Sequence, residues 1–159
     1  IYKDIATDLH YHWKITDTHT LTLLGNLIYE HRDVSDLLTN GNAQKNKLHY
    51  LEHTISSSYY WKNSYGITYQ RFGLVGSSDN IVYATGFANA TPNFAGSRIQ
   101  IDWTPFGTKQ PSSTPSPQLR LGLQYTRYDK FDGGKINYDG LGRNASYNNN
   151  LMLFAWTLF

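Results

Sequence analysis

The chain has 159 residues, no cysteine and a formal net charge of +2. This length sets one domain, residues 1–159, as the expectation. The lack of cysteine excludes disulfides, thiolate metal centres and C-x-x-C-H haem attachment, and so small a charge offers no electrostatic footprint for nucleic acid. Aromatic residues make up 15% of the chain, with 13 Tyr and 4 Trp, and charged residues only 16%, against roughly 25% in soluble proteins. Mean hydropathy is −0.51, but strands that alternate polar and apolar residues average to such values even when one face meets lipid. No run reaches the roughly 18 apolar residues of a transmembrane helix.

Period-2 alternation recurs along the chain, broken by turn-rich segments. A first strand over 5–14 places Ile5, Thr7, Leu9, Tyr11 and Trp13 opposite Asp8, His10, His12 and Lys14. A second, 19–31, sets Leu21, Leu23, Gly25, Leu27 and Tyr29 against Thr20, Thr22, Leu24, Asn26 and Glu30. The third, 47–61, carries Leu51, Ile55, Tyr59 and Trp61 on one face. The fourth, 65–74, carries Ile67 and Tyr69, and its phase slips at Arg71-Phe72, which predicts a bulge or the strand's exit from an apolar layer. In the fifth, 98–106, Ile99, Ile101, Trp103 and Pro105 oppose Arg98, Gln100, Asp102 and Thr104, with proline at the end, where a strand tolerates it. The sixth, 118–130, is the clearest: Leu119, Leu121, Leu123 and Tyr125 against Arg120, Gly122, Gln124 and Thr126. The seventh, 150–159, is apolar on both faces and ends on Phe159.

Short connections follow strands one, three and five; long ones, 33–46, 78–96 and 132–149, follow strands two, four and six. This asymmetry, with strands of about ten residues, matches transmembrane barrels with short turns on one side and long loops on the other. Tyr11, Trp13, Tyr59, Trp61, Tyr65, Trp103 and Phe159 then fall at the short-turn rim as an interfacial girdle. Single-chain bacterial barrels have even strand numbers. The odd count therefore predicts the C-terminal part of a larger barrel, with a complete eight-strand barrel using residues 81–87 as the rival reading.

A terminal apolar strand closing on an aromatic residue resembles the last strand of Gram-negative outer-membrane barrels, and implies recognition by the barrel-assembly machinery through Phe159. The resemblance extends over residues 60–159. It is carried by Trp61-Lys62-Asn63-Ser64-Tyr65-Gly66, Gly76-Ser77-Ser78-Asp79, Asp102-Trp103-Thr104-Pro105-Phe106-Gly107, Leu119 to Thr126, Asn137-Tyr138-Asp139-Gly140 and Gly142-Arg143-Asn144-Ala145-Ser146. These look like the C-terminal region of proteobacterial porin-like outer-membrane proteins, some of which carry a cytochrome c label. The resemblance implies an all-β, antiparallel up-and-down transmembrane barrel in the bacterial outer membrane. It brings no catalytic residues and no cofactor.

Pore-lining candidates are Asp8, Glu30, Arg98, Gln100, Asp102, Arg120 and Gln124. Their mixed signs point to cross-strand ion pairs in a hydrated interior rather than a single-sign selectivity ring. His10 and His12 share a face and, with Asp8, have the ligand types of a metal site; a plain polar wall is the competing reading. His49 and His53, four apart on a strand, are too distant to share an ion. The Gly-, Asn- and Asp-rich segment 132–150 has oxygen ligands but not the spacing of a calcium loop. No G-x-S-x-G, H-E-x-x-H or P-loop is present, so no enzyme is expected. The expected function is passive passage of small polar solutes or ions. The alternative is a barrel sheathing a multihaem cytochrome in an electron conduit, motivated by the cytochrome c label in that neighbourhood and by the apolar inner face of the last strand. Homo-oligomers and outer-membrane lipid complete the expected partners. A soluble β-sandwich, with Ile99, Ile101, Leu119 and Leu121 in a dry core, is the third class.

Overall fold

The computed structural model describes residues 2–62, 64–84, 89–105 and 118–158. Each of the alternating segments forms a strand: β1 (Tyr2–Thr16), β2 (His19–Asp33), β3 (Lys47–Trp61), β4 (Tyr65–Gly76), β5 (Phe94–Trp103), β6 (Gln118–Lys130) and β7 (Asn150–Leu158). They make one 7-stranded sheet in sequence order, every neighbouring pair antiparallel. The chain is therefore all-β with up-and-down topology. The sheet is open, with β1 and β7 as its outer strands. A five-residue helix, α1 (Ser35–Thr39), and a 3-10 turn (Ala145–Asn148) lie in two of the long connections.

Strand pairing fixes which side chains share a face. One cross-strand row runs Leu21, Tyr59, Ile67, Ile101, Leu123, Leu153; the next runs Thr20, Tyr60, Gly66, Asp102, Gly122, Phe154. Because successive side chains alternate, an unslipped register keeps one face apolar and the other largely polar from β1 to β6. The apolar face is exposed: Ile5, Leu9, Ile55, Ile67, Ile101 and Leu153 are all open to the surroundings, Leu153 at 80%. The polar face is the sheltered one, with Ser56, Ser58, Asp102 and Thr126 buried. Away from the loops at one end, no second layer covers it among the described residues. Side chains of a single sheet crowd on one face and splay on the other when the sheet curls toward the crowded face, here the polar one.

Glycine and aromatic residues pair directly across the strands of that sheltered face. Gly66 lies opposite Tyr60, Gly76 opposite Tyr50, Gly96 opposite Phe72 and Gly122 opposite Phe154. In each pair the aromatic ring occupies the space that a glycine Cβ would take. None of these glycines has a positive φ, so the requirement is for room rather than for an unusual backbone. Such pairs let a ring lie flat on the sheet and leave a flexible point at which it bends.

Two expectations change. The phase slip at Arg71-Phe72 is not a bulge: β4 pairs without interruption from Tyr65 to Gly76. Arg71 simply stands on the apolar face, where the Asp129 carboxylate accepts its hydrogen bond. The irregularity is instead between β5 and β6. There Gly96 pairs with Tyr128 and Ala95 with Lys130, leaving Asp129 as the extra residue. That bulge brings Asp129 to both Arg71 and Arg127, the latter with Nε at 3.3 Å. The proposed eighth strand fails over its described part. Residues 81–84 form a turn, with Tyr83 N–H donating to the Asp79 carbonyl at 3.1 Å and Ala84 N–H to Ile81 at 3.2 Å; residues 85–87 lie outside the described residues.

The small apolar core is off-centre. Leu48, Tyr50, Tyr83 and Ala90 cluster with Val34, Leu74 and Val82. Residues 77–84 and 89–93 thus fold over the polar face of β3 and β4 at the long-loop end.

Space for the rings is testable. Gly122→Ala forces the Phe154 ring off the sheet and should destabilise the fold by about 1–3 kcal/mol, the usual range for overpacking. Gly25→Ala, on the open face with Leu9 Cβ at 3.6 Å, should be close to neutral. Denaturant midpoints measure both; equal effects at the two sites would dismiss the ring-over-glycine account.

Candidate functional site: the polar face of the sheet

At the centre of the polar face, β5 and β6 build a hydrogen-bonded ladder. Asp102 is 3% exposed. Its carboxylate accepts from Arg120 Nε and Nη2, both at 3.0 Å, and from Gln100 Nε2 at 3.1 and 3.0 Å. The two-pronged guanidinium contact leaves the buried carboxylate satisfied. Arg98 turns away from Asp102. Its Nη1 donates to Gln70 Oε1 at 2.9 Å, its Nε reaches Thr126 Oγ1 at 3.4 Å, and its guanidinium lies 5.8 Å from the Phe72 ring centre. Gln124 stands directly opposite Gln100. Arg98, Gln100, Asp102, Arg120 and Gln124 thus line one face as the alternation predicted. Of the two arginines, Arg120 is the one that takes the aspartate.

The candidates on β1 and β2 lie on the same face but do not converge. Asp8 accepts from Asn26 Nδ2 at 2.6 Å, His12 Nδ1 meets Thr22 Oγ1 at 3.1 Å, and His10 stands opposite Leu24. Their partners are neutral side chains, and no three His, Cys, Asp or Glu side chains come together as metal ligands among the described residues. Glu30 pairs with Arg32, whose guanidinium lies 4.5 Å from the Tyr50 ring centre and 5.3 Å from that of Tyr2. The face is therefore dressed with paired charges of both signs. The row offers hydrogen bonds and local fields but no nucleophile held by a base.

One ring of the apolar inner face of β7 has a local explanation. Phe154 lies over Gly122 on the neighbouring strand, so its ring is accommodated within the sheet itself. Met152 and Trp156 remain exposed.

On the opposite face the girdle candidates Trp13, Tyr59, Trp61, Tyr65 and Trp103 are exposed, and all lie toward the short-connection end. Trp61 and Tyr65 stack at 5.5 Å. Tyr29, Tyr69 and Tyr125 are exposed on the same face. Phe159 lies outside the described residues.

The loops at the long end are held by carboxylates. Asp79, 1% exposed, accepts through Oδ2 from the N–H groups of Gln44 and Lys45 at 2.8 and 3.0 Å, and through Oδ1 from Ile81 and Val82 at 2.9 and 3.0 Å. It fastens connection 34–46 to connection 77–93. Beside it the Tyr50 and Tyr83 hydroxyls meet at 2.5 Å, and burial, then this bond, pushes the Tyr83 phenol pKa up. In connection 131–149 the Arg143 guanidinium at 2.6 Å, with help from the N–H groups of Leu141 and Arg143, lowers the Asp139 carboxyl to about 2. Asp139, within the oxygen-rich segment considered for calcium, is thus committed to an arginine. The role of Asp79 and the ring-over-glycine pairs went unread in the sequence because both depend on which strands and loops become neighbours.

Burial alone would raise the Asp79 pKa, but the four N–H donors outweigh it and hold the carboxyl below its usual 3.8. The ionised form is therefore favoured by folding, and its contribution is full above pH of about 4 and lost as pH falls further. Asp79→Ala should leave four amides without their acceptor and lower the local opening free energy of both loops by about 3 kcal/mol. Hydrogen exchange at Gln44, Lys45, Ile81 and Val82 reads this directly; unchanged protection would refute the assignment.

Neither a family model, a curated protein nor a solved structure matches this chain.

Proposed function

We propose that this sheet is part of the wall of an outer-membrane β-barrel and that its polar face lines a passive channel for small polar solutes or ions. The observation that carries the reading is the inverted dressing of the sheet away from its long-loop end: large apolar side chains stand exposed on one face, and the buried groups of the other, Ser56, Ser58, Asp102 and Thr126, are polar. Leaving a Leu or Ile exposed to water forfeits about 1.5–3 kcal/mol per side chain, and contiguous exposed apolar surface on this scale marks a contact with something apolar. Lipid is the contact that suits a band running across every strand and bordered by tyrosine and tryptophan at its short-connection end. A sandwich would need a second sheet over the apolar face, and the described residues supply none.

In lipid the free edges of β1 and β7 must pair as well, since unpaired backbone is not tolerated there. Closure then calls for further strands, from more of the same polypeptide or from a second copy. Recognition of the last strand by the assembly machinery belongs to the same reading. Along the polar face, the Asp102–Arg120–Gln100 ladder and Arg98 supply hydrogen bonds and nearly balanced charge, which suits weak ion selectivity. The cytochrome-sheath alternative rested on the cytochrome c label and on the apolar inner face of β7; Phe154 seated on Gly122 accounts for one ring of that face, while Met152 and Trp156 stay exposed on it.

Full-length protein is expected in the outer-membrane fraction, with heat-modifiable gel mobility and steady conductance in planar bilayers. Asp102→Asn removes the one anion at the ladder while keeping both arginines, so the reversal potential in a salt gradient should shift toward anion preference. A soluble, unshifted protein sinks the membrane reading. An inserted but non-conducting one sinks the channel and leaves a structural barrel.

A further inference from the structure

We propose that His31 and His49, together with Tyr29, form a binding site for a divalent transition-metal ion of the Cu2+, Ni2+ and Zn2+ class. The site is separate from the polar ladder and stands whether or not the channel reading does. Tyr29 and His31 are two apart on β2 and so share a face, and pairing sets His49 of β3 directly opposite His31. The two imidazoles meet with ring centres 4.6 Å apart and their Nδ1 atoms at 3.1 Å. The Tyr29 hydroxyl reaches the same His49 Nδ1 at 2.7 Å. The backbone of His49 is anchored from the adjoining loop, its N–H donating to Ser77 Oγ at 3.0 Å and its carbonyl accepting from Ser77 N–H at 2.9 Å.

The proton count at this cluster does not close. His49 Nδ1 is either a donor with one proton or an acceptor with one lone pair in the ring plane. It faces two partners, Tyr29 Oη and His31 Nδ1, and can serve only one of them well in either form. A cation that accepts lone pairs resolves the conflict, since all three atoms can then face it as ligands. The spacing suits this: two nitrogens bound at about 2.0–2.1 Å on a tetrahedral ion lie about 3.3 Å apart, close to the 3.1 Å found. Imidazole nitrogen selects Cu2+, Ni2+ and Zn2+ over Ca2+ and Mg2+, with water completing the coordination. His31 and His49 are both half-exposed, so an ion has access. Around them stand Lys3 on β1, Lys47 on β3 and Asp33 on β2. This balance opposes a dication, so Cu2+, which binds nitrogen sites most strongly among these ions, is the probe of choice.

The test is a Cu2+ titration of full-length, metal-free protein lacking any affinity tag, followed by calorimetry and electron paramagnetic resonance. One equivalent should bind, with hyperfine coupling from two imidazole nitrogens. His31→Gln and His49→Gln should each weaken binding by about tenfold or more, whereas His53→Gln, four residues along the same face of β3, should bind as wild type. Absence of stoichiometric binding by the wild-type protein overturns the proposal. So does a spectrum without two-nitrogen coupling, or affinity unchanged in both His31 and His49 variants. The wild-type spectrum decides the matter even if a variant fails to fold.

Discussion

Register is the constraint on which the rest of this structure depends. In an antiparallel sheet a slip of one residue moves every side chain of a strand to the opposite face. Here the pairing of β3 with β4 and of β4 with β5 runs without a break, and the two irregularities, at Lys14/Thr16 and Ala95/Gly96, sit near strand ends. The apolar rows therefore stay continuous from Trp13 and Leu21 through Ile67 and Ile101 to Leu153. Were β4 to slip by one, Arg71 would join the polar face, but Ile67 and Tyr69 would follow it and break the band.

Continuity of the two faces leaves a packing problem on the sheltered one. Large side chains crowd where a sheet curls, and the described chain supplies no helix or second sheet to absorb them. Glycines opposite Tyr50, Tyr60, Phe72 and Phe154 give each ring a flat seat. Between these seats, small residues such as Ser56, Ser58 and Thr126 and the long polar side chains of Arg98 and Arg120 share the remaining space. Asp102 is tolerable there because Arg120 and Gln100 saturate its oxygens; an unpaired buried carboxylate would instead take up a proton. Electrostatics and packing on this face are thus solved together, by hydrogen bonds made across strands rather than by an apolar core.

The long-loop end follows different rules. There the backbone leaves the sheet, and its N–H groups need acceptors from elsewhere. Asp79 supplies four such contacts from one buried side chain, and connection 77–93 brings Tyr83 and Ala90 onto Leu48 and Tyr50. A second group of rings, Phe72, Phe94, Tyr128, Phe131 and Tyr138, packs at the same end beneath connection 131–149, so the loops depend on apolar packing while the strands depend on pairing.

The positions of the strands, their phase and the opposition of an apolar to a polar face were legible in the sequence, because a period of two is a local property that each segment carries within itself. Leu119 to Tyr125 or Ile99 to Trp103 declare their faces without reference to any neighbour. Pore-face candidates such as Arg98, Gln100, Asp102 and Arg120 followed from the same local rule. Which of them bind one another did not: Arg120 rather than Arg98 takes Asp102 because of strand offset and side-chain reach, which only pairing defines. The same holds for Phe154 on Gly122, for Asp129 between Arg71 and Arg127, and for His49, which met His31 across the strands rather than His53 along its own. Periodicity is written residue by residue, whereas contact between strands depends on register and curvature, and those exist only once the sheet has formed.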